Sequence, residues 1–236
     1  MKGERPLPRK VYAAVEVVSD GEQWGVRLDR ARLKTPAGAP LRVPTAALAE
    51  IVADEWRRQG SHVDPATMPM TRLVNVALDR VAGRIEETRQ EIVAYAGTDL
   101  VCYRAEGPPG LRARQAELWD PILGAVSAEL GVIFATGFGI AHVKQEERVA
   151  AAVAAAVAPF VPLRLAALHS VTTLTGSAVL ALAVARRFCT PEAAWEAANV
   201  DEDWQNREWG VDAEAAARRA RRWLEMAAAG QLLLSN

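Results

Sequence analysis

The segment LRVPTAALAEIVADEW, residues 41–56, is where the hydrophobic pattern of the chain changes from strand-like to helix-like. Its first residues, LRV at 41–43, are typical of a short β-strand. After Pro44, with Thr45 placed to cap a helix, four apolar side chains fall on one face at helical spacing: Leu48, Ile51, Val52 and Trp56. The segment therefore predicts a strand followed by a helix that covers one face of a sheet.

Two earlier runs, VYAAVEVV (11–18) and WGVRL (24–28), have the same strand-like composition. The connecting segments SDGEQ and KTPAGAP contain the Gly, Pro and Asp residues that turns require. The first part of the chain therefore predicts an antiparallel meander of short strands.

Helical patterns dominate from Pro69 onward, and the C-terminal part is rich in alanine, which allows close helix packing. We therefore predict an α+β protein. A β-rich N-terminal domain, an antiparallel sheet with a covering helix, spans 1–82, and a mainly helical C-terminal domain spans 83–236. The runs LVCY (100–103) and VIFAT (132–136) could also be strands. If they join the N-terminal sheet, the boundary moves toward His142.

Three further patterns concern single helices. Asp120 followed by Pro121 is typical of a helix start. The apolar stretch 165–185 is interrupted by polar residues, which favours a buried core helix over a membrane span. Asp212 is placed to cap a last helix that stops at Gly230.

Composition narrows the class of protein. The 236 residues include 28 Lys and Arg against 29 Asp and Glu, so a net charge of −1 gives no general attraction to nucleic acid or acidic lipid. Two cysteines, Cys102 and Cys189, are too few for a disulfide framework. The first residues, MKGERPLPRK, lack the apolar core of a signal peptide. We expect a cytoplasmic protein with no nucleic-acid partner and no stable membrane insertion.

No pattern in the sequence predicts a metal or another cofactor. The histidines lie far apart, and none has a second His or Cys at the spacing usual for metal ligands: His62, His142 and His169. GFG at 137–139 lacks the third glycine of a dinucleotide-binding loop, and Gly176 is not followed by the lysine of a P-loop. The Gly-x-Ser-x-Gly elbow of serine hydrolases is also missing.

The segment DEDWQNREWGVDAEA, residues 201–215, places two tryptophans among six carboxylates with a single arginine. Part of this charge has a local explanation, because Asp212 caps a helix and Glu214 faces Arg218 at i, i+4. The remaining combination of aromatic side chains and negative charge is typical of a protein contact surface.

Five segments, in order along nearly the whole chain, resemble signature segments of the ATP synthase assembly chaperone family that acts on the α subunit: MPMTRLVNVALDRV (68–81), GTDLVCYRA (97–105), QAELWDP (115–121), DEDWQ (201–205) and WGVDAEA (209–215). The segments DEWRRQ (54–59) and LKTPAGAPLRVP (33–44) fit the same family.

The resemblance implies a chaperone without enzymatic activity or cofactor. It would bind the newly made α subunit of the ATP synthase catalytic head and prevent its aggregation until β subunits replace it. The family acts in the mitochondrial matrix of eukaryotes and in the cytoplasm of bacteria, and a bacterial member fits this chain better. The resemblance also implies a β-containing domain followed by a helical one.

In that role we predict that the acidic segment contacts the client, with Glu214 the foremost of six residues: Asp201, Glu202, Trp204, Trp209, Asp212 and Glu214. Two other functions stay open from the residues alone. A small carboxylate-dependent hydrolase or isomerase would need a closed pocket with a carboxylate of raised pKa. A structural subunit would associate permanently with its complex. For Asp79, Asp99 and Arg104, a buried ion pair and solvated positions are equally open.

Overall fold

The computed structural model describes residues 6–235, which divide into two compact units between Gly83 and Arg84. The first unit is built on a small antiparallel sheet and the second is mainly helical, so the predicted α+β class is confirmed. Independent folding of 1–82 and 83–236 as two domains stays a prediction.

The described part of the first unit contains β1 (Val15–Asp20), β2 (Gln23–Leu28), β3 (Ala31–Arg32), β4 (Arg42–Val43), α1 (Ala46–Arg57) and α2 (Pro69–Asp79). Strand β2 is central: antiparallel β1 pairs along one edge, while β3 and β4 pair with opposite ends of the other edge. The predicted meander of three runs is confirmed, and the structure adds β3 between the second and third.

Helix α1 covers the sheet as the sequence predicts. The Thr45 hydroxyl oxygen accepts the N–H of Leu48 at 3.2 Å, which caps the helix start. Near the other end, the Glu55 carboxylate accepts the N–H groups of Met70 and Thr71 at 2.7 Å each. These bonds satisfy free amides in the first turn of α2, so one carboxylate joins the two helices.

The described part of the second unit contains α3 (Ile85–Gly97), β5 (Tyr103–Arg104), α4 (Pro109–Leu130), β6 (Gly137–Phe138), α5 (Glu147–Val157), α6 (Pro162–Thr175), α7 (Ala178–Ala185), α8 (Pro191–Ala198), α9 (Val200–Trp209) and α10 (Ala213–Leu234). Helix α7 lies at the centre of this unit, buried along Ala178–Val184 and packed by α3, α4, α6, α8 and α10. A helix that is apolar on every side is expected in such a position.

The predicted core helix at 165–185 is therefore two helices. Gly176 has a positive φ of 71° and ends α6, and the Ser177 hydroxyl oxygen accepts the N–H of Leu180 at 2.9 Å to start α7. Across residues 6–235, no helix combines the length and the apolar composition needed to cross a bilayer.

The runs LVCY and VIFAT, which the sequence leaves open as strands, are largely not strands in the structure. Leu100–Cys102 forms a 3-10 turn started by the Asp99 side chain, and residues 132–136 form no strand. Two-residue strand β5 begins at Tyr103, the last residue of LVCY, and β6 begins at Gly137, just after VIFAT. They pair in parallel, in a sheet separate from the N-terminal one. The condition for moving the boundary toward His142 is therefore not met.

Two predicted helix ends are also wrong. Asp120 and Pro121 lie inside the continuous helix α4, because buried side chains before and after them keep it packed. Gly230 does not end α10, which continues to Leu234. A Cβ at Gly230 would collide with the ring of Pro191, so this glycine permits the close approach of α8.

Candidate functional site

The acidic segment of the sequence forms α9, a turn, and the first turn of α10. Asp201, Glu202 and Asp203 occupy the first turn of α9, where the positive end of the helix dipole stabilises negative charge. Gly210, with φ at 89°, makes the turn toward α10 in a conformation that side-chain-bearing residues rarely adopt.

Asp201 anchors α9 to α4. Its Oδ1 accepts a hydrogen bond at 2.7 Å from Nε2 of Gln115, whose Oε1 accepts the N–H of Ala105 at 2.8 Å. Gln115 is buried, so removal of the Asp201 carboxylate would leave an amide donor without its partner inside the protein. Asp201, the first of the six predicted contact residues, therefore stabilises the packing of α9 on α4.

Trp204 also faces inward, and it packs on Gly110 in the first turn of α4. A Cβ built at Gly110 would lie 2.5 Å from Cη2 of the Trp204 ring, so the indole occupies the space that the glycine leaves. The Arg207 guanidinium lies 5.9 Å from the centre of the same ring. Trp204 is half-buried and holds α9 in place.

Asp203 and Glu202 serve the contact between α9 and α10. Asp203 binds Arg219 through both carboxylate oxygens, and this hydrogen bonding raises the pKa of the Arg219 guanidinium. Glu202 is half-buried and adds to the negative potential at Arg219. The negative charge of this turn is thus largely matched within the protein.

From the last turn of α9 to the first turn of α10 the side chains face solvent. We call Trp209, Val211, Asp212 and Glu214 the exposed tip. Trp209 is 80% exposed and Val211 is 68% exposed. Asp212 Oδ1 accepts the N–H of Glu214 at 2.8 Å, which confirms the predicted cap. Glu214 pairs with Arg218 at 2.6 Å, as the i, i+4 spacing predicts, while its side chain stays 82% exposed.

The six predicted contact residues therefore do not form one surface. Asp201, Glu202 and Trp204 secure α9 against its neighbours. The structure brings the other three, Trp209, Asp212 and Glu214, together at the exposed tip. Contact with a client at the tip stays a prediction.

A second candidate region was not predicted from the sequence. A cleft of about 490 Å³, which we call the arginine cleft, is lined by Arg104, Pro109, Arg112, Ala113, Ala116, Asp120, Leu123, Thr136 and Phe138. Phe138 belongs to the GFG motif at 137–139, which lacks the third glycine of a dinucleotide-binding loop and therefore predicts no site from the sequence. Arg112 is 26 positions away in the sequence, so no local spacing connects the two residues.

One carboxylate has the raised pKa that the enzyme alternative requires. Burial raises the pKa of Asp99 to about 6, although hydrogen bonds from Ser177, Val179 and Val101 act in the opposite direction. Asp99 is fully buried at the start of α7, and both its oxygens accept these bonds. Asp99 therefore holds two segments together instead of lining a closed pocket. Arg104, in β5, pairs with Asp120 at 2.7 Å.

The described residues offer little to other chemistries. No group of three His, Cys, Asp or Glu side chains between residues 6 and 235 is arranged to hold a metal ion. Burial raises the pKa of Cys102 to about 12 and that of Cys189 to about 11, so both thiols stay protonated at neutral pH. His169 contacts Glu91 at 2.7 Å in an open surface cleft that Tyr95 and Thr173 also line.

Comparison with known proteins identifies the family. The family model described as ATP12 chaperone protein matches residues 9–127, half of the chain. Atp12 from Paracoccus denitrificans has a structure similar to this chain, with a TM-score of 0.88, 37% sequence identity, and coverage of 96% of this chain and 97% of that one.

Two other solved structures are similar over most of this chain. An Asp-to-Lys mutant of P. denitrificans Atp12p gives a TM-score of 0.88 at 36% identity, with the same coverage of both chains. The Atu1473 protein from Agrobacterium tumefaciens gives 0.92 at 42% identity, covering 98% of this chain and 87% of that one. The chain thus belongs to the ATP12 chaperone family, the assembly chaperones of ATP synthase.

Proposed function

We propose that this chain binds the free α subunit of the ATP synthase catalytic head and shields it from aggregation until β subunits take its place. It acts by binding alone, without catalysis or cofactor, in the bacterial cytoplasm where the head is assembled. The exposed tip is part of the binding surface, and Glu214 contributes most of its charge specificity.

The need for such a protein follows from the physics of assembly. A subunit that waits for its neighbours exposes an interface of the obligate kind, which is large and apolar and therefore prone to aggregation. A chaperone must cover part of that interface and still release it. Aromatic contacts combined with charges suit this task, because complementary charge increases the rate of association without making the complex permanent.

The observation that carries the proposal is the exposure of Trp209 beside Val211, Asp212 and Glu214. An indole that is 80% exposed contributes little to folding, but tryptophan is among the residues that dominate binding energy at interfaces. The rest of the acidic segment fixes α9 on α4 and α10, so the tip is presented on a rigid support. Little conformational entropy is then lost on binding.

The test is suppression of light scattering when the α subunit of the same organism is diluted from denaturant. We expect the wild-type chain to suppress scattering, and added β subunit to convert the complex into α–β assemblies. Glu214→Lys and Trp209→Ala should each lose most of this protection while far-UV circular dichroism stays unchanged.

Glu86→Lys is the matched control. Glu86 also lies in the first turn of a helix, is exposed, and pairs with an arginine one turn on, Arg89. Reversal of its charge should leave protection intact. Full protection by Glu214→Lys and Trp209→Ala would remove the tip from the binding surface. Failure of the wild-type chain to protect the α subunit, with protection of the β subunit instead, would overturn the choice of client.

A further inference from the structure

We propose that the arginine cleft is a second docking site, which takes an extended segment of the client chain that carries a carboxylate next to a large apolar side chain. The inference rests on the proposed function in taking the α subunit as the source of that segment.

The cleft has two walls of defined geometry. One wall is a face of α4, where Pro109, Ala113, Ala116, Asp120 and Leu123 recur at helical spacing. The other wall is β6 and the residue before it. Thr136 and Phe138, two positions apart, both line the cleft, as side chains on one face of a strand do. Small alanine side chains on α4 leave the space open.

Large apolar side chains are exposed in the connection that carries the strand wall of the cleft. Ile133 is 74% exposed, Phe138 is 56% exposed, and Ile140 is fully exposed. These residues lie in the connection between α4 and α5, so three large apolar groups face solvent within eight positions. Apolar groups concentrated in this way are typical of a surface that another protein covers.

This connection is held firmly in spite of its exposed side chains. The Gln145 side-chain amide bonds to both the N–H and the carbonyl of Ala135, at 2.9 and 2.8 Å. The Tyr103 hydroxyl accepts the N–H of Val143 at 3.3 Å, and the N–H of Gly139 donates to the Arg104 carbonyl at 2.8 Å. The apolar groups are therefore presented in a fixed arrangement, which lowers the entropic cost of binding.

The charges of the cleft indicate what it binds. Arg104 is only 10% exposed along its side chain, pairs with Asp120 at 2.7 Å, and stacks on Trp119. Its charge is already satisfied. Arg112, in contrast, makes no ion pair with any of the described residues, and its guanidinium lies 4.7 Å from the centre of the Phe138 ring. A guanidinium beside an aromatic ring is suited to a carboxylate that arrives with an apolar neighbour.

The strand wall favours a polypeptide as the occupant. Among residues 6–235, the sheet of β5 and β6 has only these two strands, so β6 pairs along one edge. Its other edge can accept main-chain hydrogen bonds from an extended segment, as in recognition by strand addition. A small carboxylate ligand would leave the exposed Ile133 and Ile140 uncovered. An extended client segment would bind Arg112 and cover the exposed apolar side chains of the connection together.

Short immobilised peptides that cover the α subunit, with a second set that covers the β subunit, provide the first test. We expect the wild-type chain to retain α-subunit peptides in which Asp or Glu adjoins Leu, Ile, Val or Phe. Fluorescence anisotropy with one selected peptide should then show binding weakened about tenfold or more by Arg112→Glu.

A charge exchange makes the test specific. The selected peptide with its carboxylate changed to lysine should bind Arg112→Glu better than it binds the wild-type chain. Phe138→Ala is the second variant, and it should weaken both peptides because it removes the apolar contact. Arg148→Glu, a charge reversal at an exposed arginine on α5, should leave binding unchanged.

Three outcomes of the peptide experiments would overturn the inference: no retained peptide, retained peptides without a carboxylate, or equal binding by Arg112→Glu and wild type. The light-scattering assay separates this result from the proposed function. Equal protection of the α subunit by Arg112→Glu and by the wild-type chain would remove the cleft and leave the proposed function standing. Retention of β-subunit peptides alone would count against the α subunit in both proposals.

Discussion

Helix α9 and the arginine cleft lie on opposite faces of α4, and they use charge in opposite ways. The acidic segment has six carboxylates, but four of them bind groups of the protein itself: Asp201 with Gln115, Asp203 with Arg219, Asp212 with a backbone amide, and Glu214 with Arg218. The cleft has few charges, but the guanidinium of Arg112 has no ion-pair partner among the described residues. The density of charge in a sequence is therefore a poor measure of the charge that a partner can use.

The largest expected loss of stability comes from a substitution in α4, the helix that contacts α9 and forms one wall of the arginine cleft. Trp119 is fully buried in α4, and its Nε1 donates a hydrogen bond to the Ala197 carbonyl at 2.7 Å. Trp119→Ala should lower the free energy of unfolding by about 3 to 5 kcal/mol, because it creates a cavity and leaves a buried carbonyl without its donor. Denaturant titration measures the loss.

Trp119→Phe is the control, since it keeps an aromatic ring in the core and removes the hydrogen bond together with a smaller part of the buried volume. We expect it to cost about 1 to 2 kcal/mol. If Trp119→Ala cost no more than Trp119→Phe, α4 would not be the common support of the two regions.

The next largest effect is the pH dependence of stability that arises from Asp99, a buried carboxylate that accepts hydrogen bonds but has no ion-pair partner among the described residues. Burial raises the pKa of Asp99 from 3.8 to about 6, so the folded protein binds this proton more tightly than the unfolded chain. The contribution of Asp99 to stability is therefore greatest below pH 4. It decreases by about 3 kcal/mol as the pH rises through 4 to 6, at about 1.4 kcal/mol for each unit of pKa shift.

Asp99→Asn tests this sign, because it removes the ionisable group while keeping the shape of the side chain. The free energy of unfolding of the variant should lack the decrease between pH 4 and pH 6. At low pH the variant should be less stable than the wild-type chain. Both oxygens of the protonated Asp99 carboxyl group can still accept the bonds from Ser177, Val179 and Val101, whereas the amide nitrogen of Asn is a donor only. Parallel pH profiles for the two proteins would contradict the assignment.

The same contrast explains which features the sequence could predict. The change of hydrophobic period after Pro44 correctly predicts the sheet and its covering helix, because that signal is local. The helix ends predicted at Pro121 and Gly230 are wrong. Packing around α4 overrides the proline signal, and the approach of Pro191 to Gly230 is a tertiary contact that the sequence does not show. No local pattern could indicate that Arg112 and Phe138 meet.

The sequence predicts a contact surface in the acidic segment, but it does not indicate which of its residues hold α9 in place and which face solvent. Its tryptophans look equivalent in the sequence, at 204 and 209. Only the fold places Gly110 under Trp204 and solvent around Trp209. The sequence therefore indicates which residue types are present at a surface, while the tertiary structure decides which of them face outward.

Substitution of the two tryptophans should change stability by an intermediate amount and distinguish the half-buried residue from the exposed one. Trp204→Ala should lower the free energy of unfolding by about 1 to 2 kcal/mol, because the half-buried indole loses its contact with α4. Trp209→Ala should change it by less than about 0.5 kcal/mol, because that indole is exposed. Client protection should depend on Trp209 even though stability does not. Equal losses of stability would contradict the division between anchor and tip.

The smallest effects come from the two ion pairs of the acidic segment. Asp203→Asn should cost about 1 kcal/mol of stability, since the pair with Arg219 is partly buried and held through two hydrogen bonds. Glu214→Gln should cost about 0.2 to 0.5 kcal/mol, because the pair with Arg218 is exposed and screened by salt. Urea titrations at low and high salt measure both, and only the second loss should vanish at high salt. A small cost at Glu214 means that its carboxylate can leave Arg218 for a client at little expense. If the Glu214 pair proved as stabilising as the Asp203 pair, the tip would hold its charge as tightly as the interior does, and its proposed role in binding would lose its physical basis.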